Sequence, residues 1–225
     1  FNLFITLCSL GLPTAITKLV SERKKKSKKI VLPLIPIVLI YNLFLIGILF
    51  IVAKILSDNL LHNANTYYPI IAIGATLPFI CISSIIKGYF FGKEKVFPNT
   101  LSNIIEQLVR LLLTVTIVAK MMSFGLVVAV TFVVLINIVS ELSSIIVLIL
   151  FLPKEKIFRD DFKRDNATIK DIMGISLPTT GSRLIGSITY FFEPIILTNI
   201  LKFVGYSTDY IALEYGIING YVYPL

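Results

Sequence analysis

The amino-acid sequence predicts an all-α polytopic transmembrane bundle. Three observations carry that prediction: a succession of long apolar runs with short charged breaks, a composition poor in charge, and lysines and arginines that alternate from break to break. Residues 1–20, 30–56, 67–91, 101–122, 124–152 and 172–201 each approach or exceed the ~20 residues needed to cross a bilayer core. A further run opens at Tyr210 and reaches Leu225. About seven such runs in one chain of 225 residues cannot all be soluble cores. Hydrophobic residues make up 56% of the chain and charged residues 15%, and the mean hydropathy is +0.89. Only helices and closed barrels satisfy their backbone in lipid, and these runs are too long and too uniformly apolar for barrel strands.

The first run carries Gly11 and Pro13 as breakers. It lacks a basic region before it and a small-residue cleavage site after it, so it is not read as a signal peptide. The break that follows holds Arg23, Lys24, Lys25, Lys26, Lys28 and Lys29. The second run has Pro33 and Pro36 near its start. The break at 57–66 contains Asp58 and no Lys or Arg, with Lys54 just before it. The third run contains Pro78, with Tyr67 and Tyr68 at one end and Tyr89, Phe90 and Phe91 at the other; these serve as interfacial anchors or as ordinary packing aromatics. Its following break carries Lys87, Lys93 and Lys95. Pro98-Asn99-Thr100 reads as the start of the fourth run, with Pro in the first turn and Asn or Thr as cap. The fourth break, at 120–123, has one Lys, whereas the fifth, at 153–170, has Lys154, Lys156, Arg159, Lys163, Arg164 and Lys170. The sixth run holds Pro178 and Pro194, and the break after it has one Lys. Such prolines either kink helices around a cavity or reflect their ordinary frequency in membrane helices.

The positive bias alternates at every crossing, which assigns the first, third and fifth breaks to the cytoplasm. The net charge of +8 is thereby explained by topology and contact with anionic lipid, and nucleic acid is not an expected partner. Cys8 and Cys81 lie within apolar runs, which argues against a disulfide framework or a zinc site. His62 stands alone in a loop and specifies no metal. No cofactor is expected. The chain opens on Phe, and both of its ends lie in apolar runs, as expected of a piece of a longer protein.

Ionisable groups inside a membrane are costly and are functional candidates by default. Glu106 and Arg110 are four residues apart and share a helical face. At ~1.5 Å per residue, Arg110 lies roughly 18 Å in from Pro98, and Glu141 lies about 16 Å from the cytoplasmic end of its span. Asn137 and Ser144 make a polar stripe with Glu141. Arg183 is about 16 Å into the sixth span if that span opens near Ile172. Arg110, Glu141 and Arg183 thus sit at similar depth on three helices, which suggests either a polar interior cavity or a set of interhelical ion pairs. Glu193 and Glu214 are weaker candidates nearer the outer side. No phosphate-binding Gly-rich loop, nucleophile elbow or paired-Cys motif is present, so an enzyme is not expected. Asp160-Asp161 is the one adjacent acidic pair, set among basic residues in a loop.

The segment Gly11-Leu12-Pro13-Thr14-Ala15-Ile16-Thr17-Lys18-Leu19-Val20-Ser21-Glu22, with the basic loop after it, resembles the second helix of stage V sporulation protein B-like transporters. Lys87-Gly88-Tyr89-Phe90-Phe91-Gly92, then Pro98 and Ile104-Ile105-Glu106-Gln107-Leu108-Val109-Arg110, resembles their fourth and fifth helices. Tyr215-Gly216-Ile217-Ile218-Asn219-Gly220, ending in Pro224, is similar to their eighth. The order of these motifs resembles the multidrug/oligosaccharidyl-lipid/polysaccharide exporter superfamily, which includes the lipid II flippases. Leu12-Pro13-Thr14 recurs as Leu177-Pro178-Thr179, but the family's internal repeat would pair it elsewhere.

The resemblance implies a two-lobed transporter with six helices in each lobe. Residues 1–152 would be the second to sixth helices of the first lobe, 153–170 the cytoplasmic inter-lobe loop, and 171–225 the start of the second lobe. It implies flipping or export of a lipid-linked oligosaccharide or polysaccharide precursor across the bacterial cytoplasmic membrane by alternating access. The expected partners are that lipid-linked glycan, membrane lipids and a coupling cation. Arg110 and Arg183 are the expected contacts to the substrate's pyrophosphate, since Arg offers bidentate hydrogen bonds and stays charged. Lys18 is expected at the cytoplasmic mouth. Glu106, Glu141 and Asn137 are the expected cavity polar groups, positioning the arginines or binding the coupling cation. The alternatives are a multidrug/cation antiporter of the same superfamily, which would want acidic cavity residues, and a membrane enzyme acting on glycolipids.

Overall fold

The computed structural model describes residues 2–24, 27–57, 64–153, 162 and 165–218. Asp58, His62, Asp160-Asp161, most of the fifth basic break, and the Asn219, Gly220 and Pro224 of the last motif lie outside the described residues. Among the described residues every regular element is a helix: α1 Asn2–Ser9, α2 Leu12–Glu22, α3 Ser27–Val31, α4 Leu34–Ile55, α5 Tyr67–Gly92, α6 Val96–Leu113, α7 Ala119–Met121, α8 Leu126–Phe151, α9 Asn166–Val204 and α10 Thr208–Ile217. Among the described residues, five stretches are long and apolar enough to cross a membrane: Asn2–Glu22, Lys29–Ile55, Tyr67–Gly92, Leu126–Phe151 and Asn166–Val204. The all-α polytopic class is what the sequence predicts.

The first span is two helices, not one. Leu10 (φ 47) and Gly11 (φ 59) are both left-handed, a conformation Gly accepts readily and Leu does not. Pro13 then opens α2, where its missing N–H has no helical acceptor to lose. The predicted fourth run is also interrupted. After α6 it passes through a π-helical segment, Thr114–Val118, before α7. Pro78, Pro178 and Pro194, by contrast, sit inside continuous helices.

The core is built around α5. Leu77, Ile85 and Phe90 of α5 are buried against Ala15, Ile16, Leu19 and Val20 of α2, Leu34 and Val38 of α4, Leu148 of α8 and Ile172 of α9. Tyr89 and Phe90 therefore act as packing aromatics, while Tyr68 and Phe91 are exposed near the ends of the helix. The α2–α5 contact depends on missing side chains. A Cβ on Gly88 would lie 2.9 Å from the Pro13 carbonyl oxygen, and one on Gly92 would lie 2.6 Å from Val20 Cβ. This Gly-x-x-x-Gly spacing lets two backbones approach closely, which is how membrane helices gain packing without a hydrophobic drive between them. Thr17 Oγ1 donates both to the Pro13 oxygen of its own helix (2.7 Å) and to the Gly88 oxygen (3.2 Å).

One reading of the sequence is corrected here. Cys8 and Cys81 are joined as a disulfide across 73 residues, with Cα atoms 6.5 Å apart. The break after Ser9 turns the end of α1 against the middle of α5, inside the distance at which two cysteines can be bridged. Their apolar surroundings do not exclude that pairing.

Candidate functional site

An ion cluster lies inside the bundle where α8 packs along both α5 and α6. Glu106 of α6 is 6% exposed. One of its oxygens accepts from Arg110 Nη2 at 2.7 Å, one turn on, and the other accepts from Lys87 Nζ of α5 at 2.8 Å. Asn99 Nδ2 donates to the Lys87 carbonyl at 3.1 Å and ties the start of α6 to the end of α5. Arg110 also reaches Gln107 Oε1 at 3.3 Å. Glu141 of α8 is 8% exposed. It lies beside Ser83 and within electrostatic reach of Glu106, Lys87 and Arg110. Four charges, two of each sign, thus share a low-dielectric interior.

Glu106, Arg110 and Glu141 are therefore brought together, and Lys87 joins them. Lys87, counted by its charge with the third break, lies on α5, which continues to Gly92 and carries its ammonium inward. The signal available was its position within the apolar run 67–91, one turn after Ser83. Asn137 does not join: its amide donates to the Val133 and Val134 carbonyls of its own helix. A side chain that back-bonds one turn earlier serves its own helix and not a neighbour.

Arg183 is elsewhere. Helix α9 opens at Asn166, not near Ile172, because Asp165 caps it by accepting from Ala167 N at 3.2 Å and Thr168 Oγ1 at 2.7 Å. Those bonds, that from Thr168 foremost, hold the Asp165 carboxyl below the ordinary carboxylate range. Arg183 consequently lies about 26 Å along α9. Its side chain is exposed and forms no ion pair among the described residues. Spacing puts Arg183 on one face of α9 with Ser176, Thr180 and Ser187.

That face meets the first span along its length. Thr6 and Ser187 hydroxyls are 2.8 Å apart. A Cβ on Gly11 would lie 3.0 Å from the Ser176 oxygen and from Thr179 Cβ, so the break in the first span packs directly on α9. At one end Arg23 Nη2 pairs with Asp171 at 2.7 Å, and its Nη1 reaches Thr168 at 3.4 Å. Beside this pair is an opening of ≈ 630 Å³ lined by Lys18, Glu22, Arg23, Lys170, Asp171 and Gly174. Lys24 pairs with Glu94 at 2.7 Å at the same end, so the first break, the third break and the start of α9 cluster together.

Membrane-length helices around a buried ion cluster, with a polar seam between the first span and α9, define a multi-pass membrane protein. The chain belongs to the polysaccharide biosynthesis protein family, whose model matches residues 1–220. It is similar to stage V sporulation protein B of Bacillus subtilis (strain 168), at 33% identity over 236 aligned residues, covering 100% of this chain and 46% of that one. It is similar to the lipid II flippase MurJ of the same organism, at 26% identity over 69% of this chain and 32% of that one. Sporulation protein YkvU, also from that organism, is 24% identical over 97% of this chain and 49% of its own length. The chain spans half or less of the length of these relatives. No solved structure matches it. The likeness to stage V sporulation protein B-like transporters read from the motifs is shown by these matches.

Proposed function

We propose that this chain forms the first lobe and the start of the second lobe of a flippase for lipid-linked oligosaccharide or polysaccharide precursors in the bacterial cytoplasmic membrane. The lobe boundary falls in the segment 153–170, and the first, third and fifth breaks face the cytoplasm. The family match along nearly the whole chain, with a lipid II flippase among the relatives, supports that class of substrate.

The observation that carries the reading is the seam between the first span and α9. It holds polar and small-residue contacts at Thr6–Ser187, at Gly11 and at Arg23–Asp171. Such contacts can separate and re-form without exposing a large apolar face, as rocking of one lobe against the other requires. Its cytoplasmic rim is rich in cations: Lys18, Arg23 and Lys170 stand against Glu22 and Asp171. That balance suits an anionic pyrophosphate headgroup better than the cationic drug of an antiporter. Arg183, on the seam face of α9, is the contact for the pyrophosphate once the lobes part. Arg110 stays with Glu106 until the substrate draws it away.

In vesicles holding the full-length protein, Arg183→Ala should abolish flipping of lipid-linked glycan while expression and insertion stay intact. Arg183→Lys should restore only part of it, because a point charge lacks the fork geometry. Flipping at the normal rate by Arg183→Ala would remove this residue from the mechanism.

A further inference from the structure

The ion cluster contains polar atoms that its salt bridges do not use. Ser144 Oγ and Arg110 Nε are buried and complete no hydrogen bond among the described residues, and the neighbouring Glu141 Oε2 and Ser83 Oγ have no partner beyond each other. Ser83 is 1% exposed, Ser144 0% and Glu141 8%. Buried polar atoms in folded proteins are nearly always satisfied, so two unpaired atoms beside a carboxylate–hydroxyl pair that has no further partner, on three neighbouring helices, mark a place where something binds. The other charged groups facing Glu141 are Lys87 from α5 and Glu106 and Arg110 from α6. Glu106 is already held by both cations, which leaves Glu141 as the carboxylate whose charge is not locked by a salt bridge.

The kind of ligand follows from the kind of atom. A hard metal cation takes oxygen acceptors only, about six of them. Here one of the four groups is an N–H donor, two are hydroxyls that both give and accept, and one is a carboxylate oxygen. Two fixed cations stand nearby. That mixed set repels a metal ion and matches a proton.

We infer that Glu141 is the proton-carrying site of this membrane protein, and that loading it switches the first lobe. The inference rests on the transport reading above and names its coupling species. A proton delivered from water bonds to Glu141 Oε2. The carboxylic acid then donates to a neighbouring serine hydroxyl, and the Ser83 and Ser144 hydroxyls can reorient around it. The cluster of Lys87, Glu106, Arg110 and Glu141 changes from net zero to net +1. An unbalanced positive charge in low dielectric loosens the hold of Glu106 on Arg110 and favours the arrival of an anion. Release of the proton to the other side of the membrane restores the four-charge balance.

Two measurements on the purified full-length protein in lipid test this. Infrared difference spectra between acid and alkaline pH should show a buried carboxylic-acid carbonyl band that Glu141→Gln loses and Glu141→Asp retains, with helical circular dichroism unchanged in both. Vesicles should flip lipid-linked glycan faster under an imposed pH difference than without one. An imposed sodium difference at equal pH should give no gain, and Glu141→Gln should lose the pH-driven gain. An unchanged carbonyl band in Glu141→Gln would overturn the proton site. Gain from sodium alone, or pH-driven gain retained by Glu141→Gln, would overturn the coupling. Absence of flipping by the unaltered protein under every gradient would refute the transport reading, while the spectra still decide the site.

Discussion

Replacing Glu106 with alanine removes the carboxylate that two cations share. Its side chain is 8% exposed, and it holds Lys87 at 2.8 Å and Arg110 at 2.7 Å. Truncating one partner of a buried ion pair costs about 3–5 kcal/mol, because the remaining charge is stranded. Arg110 is one-third exposed and Lys87 one-fifth, so water recovers part of that, and about 3 kcal/mol is the expected loss. Arg110→Ala leaves Glu106 still bonded to Lys87 and should cost about 1.5–3 kcal/mol, the range for one charge-assisted bond. Independent effects would sum to about 5 kcal/mol in the double variant. The structure predicts less. With Glu106 gone, Arg110 has no salt bridge to lose, so the double variant should resemble Glu106→Ala alone. The coupling should be about 1.5–3 kcal/mol, within the range for residues of one ion network. Reversible unfolding of the full-length protein in mixed micelles by a denaturing detergent reads all three variants. A coupling below about 0.5 kcal/mol, the ordinary scatter of additive sites, would refute the cluster as a unit.

Gly92→Ala should destabilise by about 1–3 kcal/mol through overpacking, since its new methyl would meet Val20 and the Thr17 oxygen. Gly181→Ala, with nothing within 4 Å, is the control; equal unfolding curves would refute the close α2–α5 approach. Thr6→Cys with Ser187→Cys, in a chain whose Cys8 and Cys81 are replaced by Ala, should cross-link under mild oxidant and stop flipping until reduced. Undiminished flipping by the cross-linked protein would show that the seam does not part during transport.

Much of the fold was legible because lipid leaves the chain few options. A backbone in hydrocarbon must satisfy itself, so long apolar runs declare themselves as helices. The Glu106–Arg110 pair was equally legible, because a four-residue spacing brings side chains together on any helix. The part of Lys87 was not, because the run 67–91 contains it but its pairing with Glu106 depends on how α5 is rotated against α6. The start of α9 was misplaced for a related reason. The polar stretch 166–171 reads as loop by hydropathy, yet the Asp165 cap and the Arg23–Asp171 pair make it helix.

The sequence by itself determined the helical class, the order of the spans and the shared face of Glu106 and Arg110 on one helix. These are local quantities, set by hydropathy and a fixed turn per residue. Only the tertiary structure decided which further charges meet. The rotation and neighbours of each helix join Cys8 to Cys81 across 73 residues and Thr6 to Ser187 across 181. They draw Glu141 toward the Glu106 pair and set Arg183 apart on the seam. Contacts of that range depend on the packing of every helix between their partners, which no local pattern contains.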